Sequence, residues 1–373
     1  MLGRQHEPTG AALVTFEAGR PFSDYLTATR QMIKKYRIDL TPETANKITE
    51  ANSPFEWRPY ESDHFERGIL LVHGLYDSPY MMRDIGAHFL KQGYLVRSIL
   101  IPGHGTTPGD LLNVSMQNWL DAVAYGIDQT SPMVDKLYLC GYSLGAALCQ
   151  LNHKRKDNIK GMIFIAPGVK STHRYANILR IHHLFTWISK KAKWYQIAKQ
   201  DNYVKYNSHP YNPGRLTVLC MQAASKMITH LPIFVVATEE DETIEPSSIL
   251  RFYKAQTNAL NQMIYYCKEP HDNKNASIEE RSSVYPERNI IDFSHICLPI
   301  SPSNPYLGEY GELLDFSHYP SPEDTGKKLH IGAITPYNLL HFTMQRLSYN
   351  PDFDYMMHRI NSFIENLGES TIP

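Results

Sequence analysis

No apolar run in the 373-residue chain approaches the ~18 residues that a membrane-spanning helix requires. The longest runs are the size of strands, and they read GILLVHGL, GMIFIA and PIFVVA. The first residues also lack a basic flank followed by an apolar stretch, the pattern of a secretory signal. We therefore expect no integral membrane segment and a cytoplasmic location.

The sequence has no excess of charge of either sign. It contains 37 Lys and Arg against 38 Asp and Glu, for a formal net charge of -1. Proteins that bind nucleic acids need a basic footprint to neutralise phosphates. The balance of charges therefore excludes nucleic acid as an expected partner.

Cysteine is scarce, and none of it is arranged for metal binding or for a disulfide framework. The five cysteines are widely spaced and form no CxxC pair, which favours reduced, buried thiols. The sequence also contains no HExxH pattern, and Gly103 and Gly105 lack the third glycine of a dinucleotide fingerprint. We expect neither a metal nor a cofactor.

From Gly68 onward, apolar runs of strand length alternate with amphipathic segments of helical period. Buried strands that alternate with helices predict a mostly parallel central sheet with helices on both faces. The fold class is therefore α/β. A C-terminal amphipathic segment, residues 351–366, is expected to close the fold as a helix.

The alternation of strands and helices suggests three parts of the chain. Residues 1–65 are expected to form a helical decoration, and residues 66–170 and 231–373 to form the α/β core. Residues 171–230 interrupt the alternation and are rich in aromatic side chains, so we expect them to form a lid. Residues 271–330 contain many prolines and are expected to be loop-like.

The strongest chemical signal is the motif Gly141-Tyr142-Ser143-Leu144-Gly145, which follows a strand and precedes a helix. A serine at such a sharp turn is exposed above the sheet at a helix N-terminus, and the turn requires small neighbours. This setting predicts that Ser143 is a nucleophile rather than an ordinary turn residue.

A second motif, His73-Gly74-Leu75, ends the first strong strand. An oxyanion hole needs two backbone N–H groups aimed at one point. We expect the N–H groups of Leu144 and Leu75 to supply them. His73 itself is expected to be architectural, as is His104 in the motif PGHG.

A nucleophilic serine needs a base and an acid that orients the base. In hydrolases with this turn, the chain order is serine, acid, histidine. The strand PIFVVAT ends in four consecutive acids, residues 239–242, and among them Asp241 best suits a fixed hydrogen bond. Glu240 and Glu242 remain rival candidates for the acid.

The base is harder to select because the chain has 17 histidines. His271 directly follows the strand NQMIYYCKEP, and spacing alone favours it slightly. His295 lies in the segment DFSHI, after the short apolar pair of residues 290–291. His318 and His341 are weaker candidates.

Several motifs resemble bacterial α/β-hydrolases of the carboxylesterase, monoacylglycerol lipase and lysophospholipase-like group. They read SPFEWRP, GILLVHGLYDSPY, ILIPGHGTTPGDLL and LCGYSLGAALC. The segment YPERNIIDFSHICLPISPSNPYLGEYG is similar to the late element that supplies the histidine in that group. The resemblance implies that His295 is the base and that the fold is an α/β-hydrolase fold with a lid insertion.

Together, these features predict a serine hydrolase that cleaves a small-molecule carboxylic ester, either a short-chain ester or a monoacyl lipid, through an acyl-enzyme. Aromatic residues in the lid favour an apolar acyl or aryl group. They are Tyr175, Phe185, Trp187, Trp194, Tyr195, Tyr203, Tyr206 and Tyr211. A thioesterase, peptidase or acyltransferase on the same fold, or a non-catalytic scaffold, is the alternative. The sequence does not indicate an oligomeric state.

Overall fold

A computed structural model of the chain describes residues 2–11, 19–172, 189–271, 275–313 and 328–369. The chain divides into two compact units. The first comprises Met1–Lys160 and His173–Met227, and the second comprises Gly161–Thr172 and Ile228–Pro373. Each unit contributes strands that end beside candidate site residues.

The described strands and helices alternate along most of the chain. The strands are β1 (Phe55–Trp57), β2 (Phe65–Val72), β3 (Leu95–Ile99), β4 (Val134–Tyr142), β5 (Ile159–Ile165), β6 (Trp194–Gln196), β7 (His209–Pro210), β8 (Ile233–Thr238), β9 (Gln262–Cys267), β10 (Ile278–Ser282), β11 (Leu329–Gly332) and β12 (Thr343–Arg346). The α-helices are α1 (Phe22–Tyr36), α2 (Ala45–Asn52), α3 (Arg83–Lys91), α4 (Met116–Thr130), α5 (Leu144–Asn152), α6 (Tyr211–Ala224), α7 (Pro246–Ala255), α8 (Pro336–His341) and α9 (Phe353–Glu369).

Eight strands form one sheet in the order β1-β3-β2-β4-β5-β8-β9-β10. The pairing of β1 with β3 is antiparallel, whereas β2 pairs in parallel with both β3 and β4, and β8 and β10 pair in parallel with β9. The last five residues of β2 and all six of β8 are buried, because strands of a covered parallel sheet have no solvent face. The predicted α/β class, with a mostly parallel central sheet, is confirmed.

Two strands of the sheet were not expected from the sequence. β1 lies within the segment predicted as a helical decoration, and β10 lies within the segment predicted as a loop. Both stand at the edges of the sheet, where polar and charged side chains are tolerated and the apolar pattern is weak. The sequence IEERS of β10 illustrates this, since only Ile278 is buried.

Parallel pairing sets where functional side chains emerge. Val72 of β2 is level with Gly141 of β4, so both strands end at the same edge of the first unit. The loop that begins at His73 and the turn that carries Ser143 both follow these ends. Sites in parallel α/β sheets form beyond the carboxyl ends of the strands, which is where these two candidate elements lie.

All five cysteines are buried, in agreement with the expectation of buried thiols. In the described ranges, no helix is both long enough and apolar enough to cross a membrane.

Candidate active site

Ser143 lies on a strained turn between β4 and α5. Its backbone has φ 54° and ψ -115°, a conformation that residues other than glycine rarely adopt. The residue is the N-cap of α5, and its side chain forms no capping hydrogen bond to the helix. Strain of this kind persists where the surrounding structure fixes it, and such positions are concentrated at functional sites.

The two glycines of the motif make this turn possible. A Cβ on Gly145 would lie 2.1 Å from the carbonyl oxygen of Val72, and a Cβ on Gly141 would lie 2.4 Å from the backbone nitrogen of Ala146. Both contacts are far closer than carbon atoms allow, and both partners are backbone. The spacing of glycines around Ser143 therefore follows from the close approach of α5 to β2 and β4.

Two backbone N–H groups near the turn are candidates for an oxyanion hole. Leu144 is the first residue of α5, where N–H groups have no acceptor within the helix and carry the positive end of the helix dipole. Leu75 lies in the turn after β2. Within the described ranges, the N–H of Leu75 donates to no protein acceptor, which leaves it available to a substrate oxygen.

Two buried histidines fix the loop that carries Leu75. His73 bonds through Nδ1 to the carbonyl of Gly74 at 2.8 Å and accepts the N–H of Ile101 at Nε2, 3.0 Å away. His104 bonds through Nδ1 to the carbonyl of Ile101 at 2.9 Å and accepts the N–H of Tyr76 at Nε2, 3.0 Å away. Both rings use both nitrogens to hold backbone, which is the architectural role predicted for them.

Acceptance of an N–H requires each of these rings to be neutral. Burial lowers the pKa of His104 to about 4. Burial, followed by the repulsion that a protonated His104 would exert, lowers the pKa of His73 well below its ordinary range. Tyr76, which His104 holds, has a positive φ of 64°. The neutral imidazole thus stabilises a strained residue directly after Leu75.

This arrangement predicts a loss of stability in acid. An unfolded His104 binds a proton with an ordinary pKa of 6.5, and the folded form does so only near 4. The contribution of neutral His104 is therefore complete above pH 6.5 and is lost as the pH falls towards 4, by about 3 kcal/mol. Urea unfolding between pH 7 and pH 4 should show a shallower decline for His104→Gln than for the wild type. Parallel declines would contradict the assignment.

Residues 203–211 also contact the loop that carries Leu75. The N–H of Tyr206 donates to the carbonyl of Tyr76 at 2.7 Å, and the ammonium of Lys205 lies 3.0 Å from the carboxylate of Asp77. The ring of His209 stacks on the ring of Tyr76 with centroids 4.2 Å apart. Part of the segment predicted as a lid therefore contacts the loop beside the candidate oxyanion donor.

Asp241 follows β8 in the second unit and uses both of its carboxylate oxygens. Oδ1 accepts the N–H groups of Thr243 and Ile244 at 2.8 and 2.7 Å, which closes a turn of the chain around the side chain. Oδ2 lies 2.7 Å from Nδ1 of His295. Because an ionised carboxylate only accepts, Nδ1 carries the proton, and Nε2 is left as the acceptor. Both side chains are buried.

The other candidate histidines are arranged differently. His271 is half-exposed, and its Nε2 lies 3.0 Å from the carboxylate of Glu239. His341 is exposed on α8, where its Nδ1 bonds to the carbonyl of Tyr337. His318 lies outside the described residues, as do Tyr175, Phe185 and Trp187 of the lid segment. Among the described histidines, His295 is the one that the structure brings to Asp241.

The rival acids also have separate partners. Glu240 accepts the hydroxyl of Thr238 at 3.0 Å. Burial, followed by the charge of Asp292, raises the pKa of Glu240 to about 7. The carboxylate of Glu242 accepts the backbone N–H of His295 at 2.9 Å. Sequence reasoning treated Glu242 only as a competitor of Asp241 and missed this contact.

The segment before His295 is anchored residue by residue. Asp292 is buried and accepts the N–H of Ala333 at 2.6 Å, the side-chain amide of Asn338 at 2.8 Å and the ammonium of Lys268 at 2.8 Å. The hydroxyl of Ser294 donates to a backbone carbonyl 2.5 Å away. The imidazole is therefore carried by a fixed loop.

No group of three or more metal-binding side chains occurs in the part of the chain that the structure describes. The titratable side chains near Asp241 instead form pairs: His295 with Asp241, His271 with Glu239, and Lys268 with Asp292.

A family model described as "Serine aminopeptidase, S33" (Hydrolase_4) matches residues 63–275. This range includes Ser143 and Asp241 and ends before His295. The chain is 27% identical over 111 residues to a thermostable monoacylglycerol lipase of Bacillus sp. (strain H-257), covering 30% of this chain and 44% of that protein. The alignment thus spans less than half of that relative.

A carboxylesterase of Bacillus subtilis (strain 168) is 23% identical over 220 residues, covering 57% of this chain and 88% of that protein. Among solved structures, one described as a metagenome-derived lipolytic enzyme, from work on LipS and LipT, matches with a TM-score of 0.50 and 18% identity. That match covers 58% of this chain and 87% of the other. The resemblance predicted from the motifs is confirmed.

Proposed function

Because the chain belongs to the serine aminopeptidase S33 family of α/β-hydrolases, we propose that it is a serine hydrolase that cleaves carboxylic esters through an acyl-enzyme. The preferred substrates are short-chain esters or monoacyl lipids. The observation that carries the proposal is the buried hydrogen bond of 2.7 Å between His295 and Asp241. It fixes the imidazole in the tautomer that a general base requires.

In the proposed reaction, the hydroxyl of Ser143 attacks the ester carbonyl and passes its proton to Nε2 of His295. Asp241 stabilises the resulting imidazolium, and the N–H groups of Leu75 and Leu144 bind the oxyanion. The intermediate collapses, and the alcohol leaves with the proton from His295. Water, activated by the same imidazole, then attacks the acyl-enzyme and releases the acid and Ser143.

We further propose that residues 171–230 act as a cap over the acyl group. The described part of this segment places aromatic rings beside the loop of Leu75. Tyr195 and Tyr211 lie 5.6 Å apart between ring centroids, and Tyr195 lies 5.4 Å from His209, which stacks on Tyr76. An aromatic surface of this kind favours an apolar acyl chain over a charged one.

The family description also points to an aminopeptidase, which would cleave an amide instead of an ester. Two relatives named as a monoacylglycerol lipase and a carboxylesterase favour the ester. Esters also have better leaving groups than amides, so a site without further help for the leaving amine acts first on esters. We therefore keep amide cleavage as the second candidate.

A substrate panel separates the two candidates. Steady-state kcat/KM should be measured for p-nitrophenyl butyrate, a medium-chain monoacylglycerol, an acyl-CoA and an aminoacyl p-nitroanilide. We expect kcat/KM for each of the two oxygen esters to exceed that for the anilide by at least about a hundredfold. Such a ratio corresponds to about 3 kcal/mol of difference in transition-state binding. A higher value for the anilide would support the aminopeptidase and overturn the ester proposal.

A further inference from the structure

We propose that Glu242 is a positioning residue for the general base: its carboxylate holds the backbone of His295 while Asp241 holds the side chain. The inference rests on the proposed function, since it assigns a role relative to His295. It gives two adjacent residues of one loop different contacts with His295.

The contacts on His295 come from opposite ends of the same residue. Oε2 of Glu242 accepts the N–H of His295 at 2.9 Å, and Oδ2 of Asp241 accepts from Nδ1 at 2.7 Å. A hydrogen bond to a charged acceptor is roughly twice as strong as a neutral one. The two bonds together fix both the position of the Cα and the direction of the ring.

The loop that supplies both acceptors is itself held in place. The hydroxyl of Thr172 donates to the carbonyl of Glu242 at 2.7 Å, and the N–H of Thr172 donates to the carbonyl of Thr243 at 3.0 Å. Ser171 forms a further antiparallel bridge with Ile244. The loop that carries Glu242 is therefore held by several hydrogen bonds, and movement of His295 would require breaking contacts in several segments.

Arg346, at the end of β12, balances the charge of Glu242. Its Nε lies 3.6 Å from Oε1 of Glu242, whereas Oε2 faces His295. The Glu242 side chain is mostly buried, 12% exposed, and the guanidinium lies on the side of the carboxylate that faces away from His295. The carboxylate bridges Arg346 of one segment and His295 of another, which couples the position of β12 to that of the base.

The role matters for catalysis because proton transfer depends steeply on geometry. A displacement of about 1 Å at a reacting group costs about a hundredfold in rate. Loss of the acceptor at position 242 frees the His295 backbone while the bond to Asp241 remains. We therefore expect an effect on kcat with little effect on KM.

The test compares four variants of the full chain. Glu242→Met removes the acceptor with little change in size, and kcat should fall about ten- to hundredfold while KM stays within about twofold. Glu242→Gln keeps a neutral acceptor and should recover kcat to within about fivefold of the wild type. Glu239→Met is the matched control from the same acidic run, and it should retain wild-type kcat.

Glu242→Asp covers the case in which Glu242→Met fails to fold. It keeps the charge but shortens the side chain by one carbon, so it should lose about tenfold in kcat without loss of folding. Thermal unfolding of each variant verifies that the measured protein is folded. A kcat of folded Glu242→Met or Glu242→Asp equal to the wild type would overturn the inference, and so would equal losses in Glu242→Gln and Glu242→Met.

Failure of the proposed function would look different. Fluorophosphonate labelling of Ser143 in the wild type reports an activated serine whatever its substrate. A labelled, active wild type with unaffected Glu242 variants rejects only the positioning role. A folded wild type that resists labelling and hydrolyses no ester rejects the proposed function, and with it the role of Glu242.

Discussion

Ester hydrolysis by the Ser143→Ala variant should fall by about five to six orders of magnitude, to the level left by binding alone. The variant lacks the hydroxyl that forms the acyl-enzyme in the proposed reaction, and Ser143 is the one residue between the end of β4 and the start of α5. The measurement is the steady-state rate with p-nitrophenyl butyrate, together with fluorophosphonate labelling and mass mapping of the modified peptide. Labelling should be found at Ser143 in the wild type and be absent in the variant.

Ser143→Gly is the matched control for folding. Glycine tolerates the φ of 54° that Ser143 adopts, so this variant should unfold with a free energy about 1 kcal/mol higher than that of Ser143→Ala. Both variants should be equally inactive, which separates the chemistry of the hydroxyl from the strain of the backbone. Activity within tenfold of the wild type in either variant would show that Ser143 is not the nucleophile.

Replacement of Asp241 with asparagine should lower kcat by about 10⁴-fold, the loss seen when a triad carboxylate becomes an amide. The carbonyl of the new side chain can still accept the N–H groups of Thr243 and Ile244, so the turn is retained. The amide nitrogen then faces Nδ1 of His295 and favours the tautomer in which Nε2 carries the proton. Such a ring cannot accept a proton from Ser143.

Glu240→Gln is the control for this substitution. The pKa of Glu240 is raised to about 7, so the carboxyl is already partly protonated at neutral pH, and glutamine resembles that form. We expect its kcat at pH 7 to stay within about threefold of the wild type. If Glu240→Gln lost more activity than Asp241→Asn, the acid would have to be reassigned to Glu240.

The position of Ser143 could be predicted because the chain constrains it strongly. The approach of Gly145 to the carbonyl of Val72 excludes any side chain there, and Gly141 has a similar contact with the start of α5. A strand, two glycines at fixed spacing and a helix are all visible as sequence patterns. A local backbone geometry of this kind can be predicted from the sequence, because it requires particular residue types at fixed positions.

The acid and the base were harder to assign because their roles depend on distant contacts. Four consecutive acids offer the same charge at nearly the same place, and their side-chain directions are set by the turn that Asp241 closes on itself. Spacing alone favoured His271, whose partner proved to be Glu239. Similarity to a known group of hydrolases pointed instead to His295, which lies against Asp241.

The role of Glu242 left no signal in the sequence. Its partners, His295 and Arg346, are 53 and 104 positions away along the chain. The strand β10 was missed for a different reason: it is an edge strand in which only Ile278 is buried, so the apolar pattern is lost. Contacts between residues far apart in the sequence, and strands at the edge of the sheet, could therefore be identified only from the structure.

The burial of all five cysteines has a practical consequence for spectroscopy. A maleimide finds no accessible thiol on the folded wild type, so a cysteine introduced at a surface site becomes the single point of attachment. Tyr310 is 93% exposed, which makes Tyr310→Cys a suitable site for a dye. A phosphonate directed at Ser143 reacts with a different functional group. The two reagents therefore mark separate positions on one molecule, giving a donor and an acceptor for distance measurements on the phosphonylated protein.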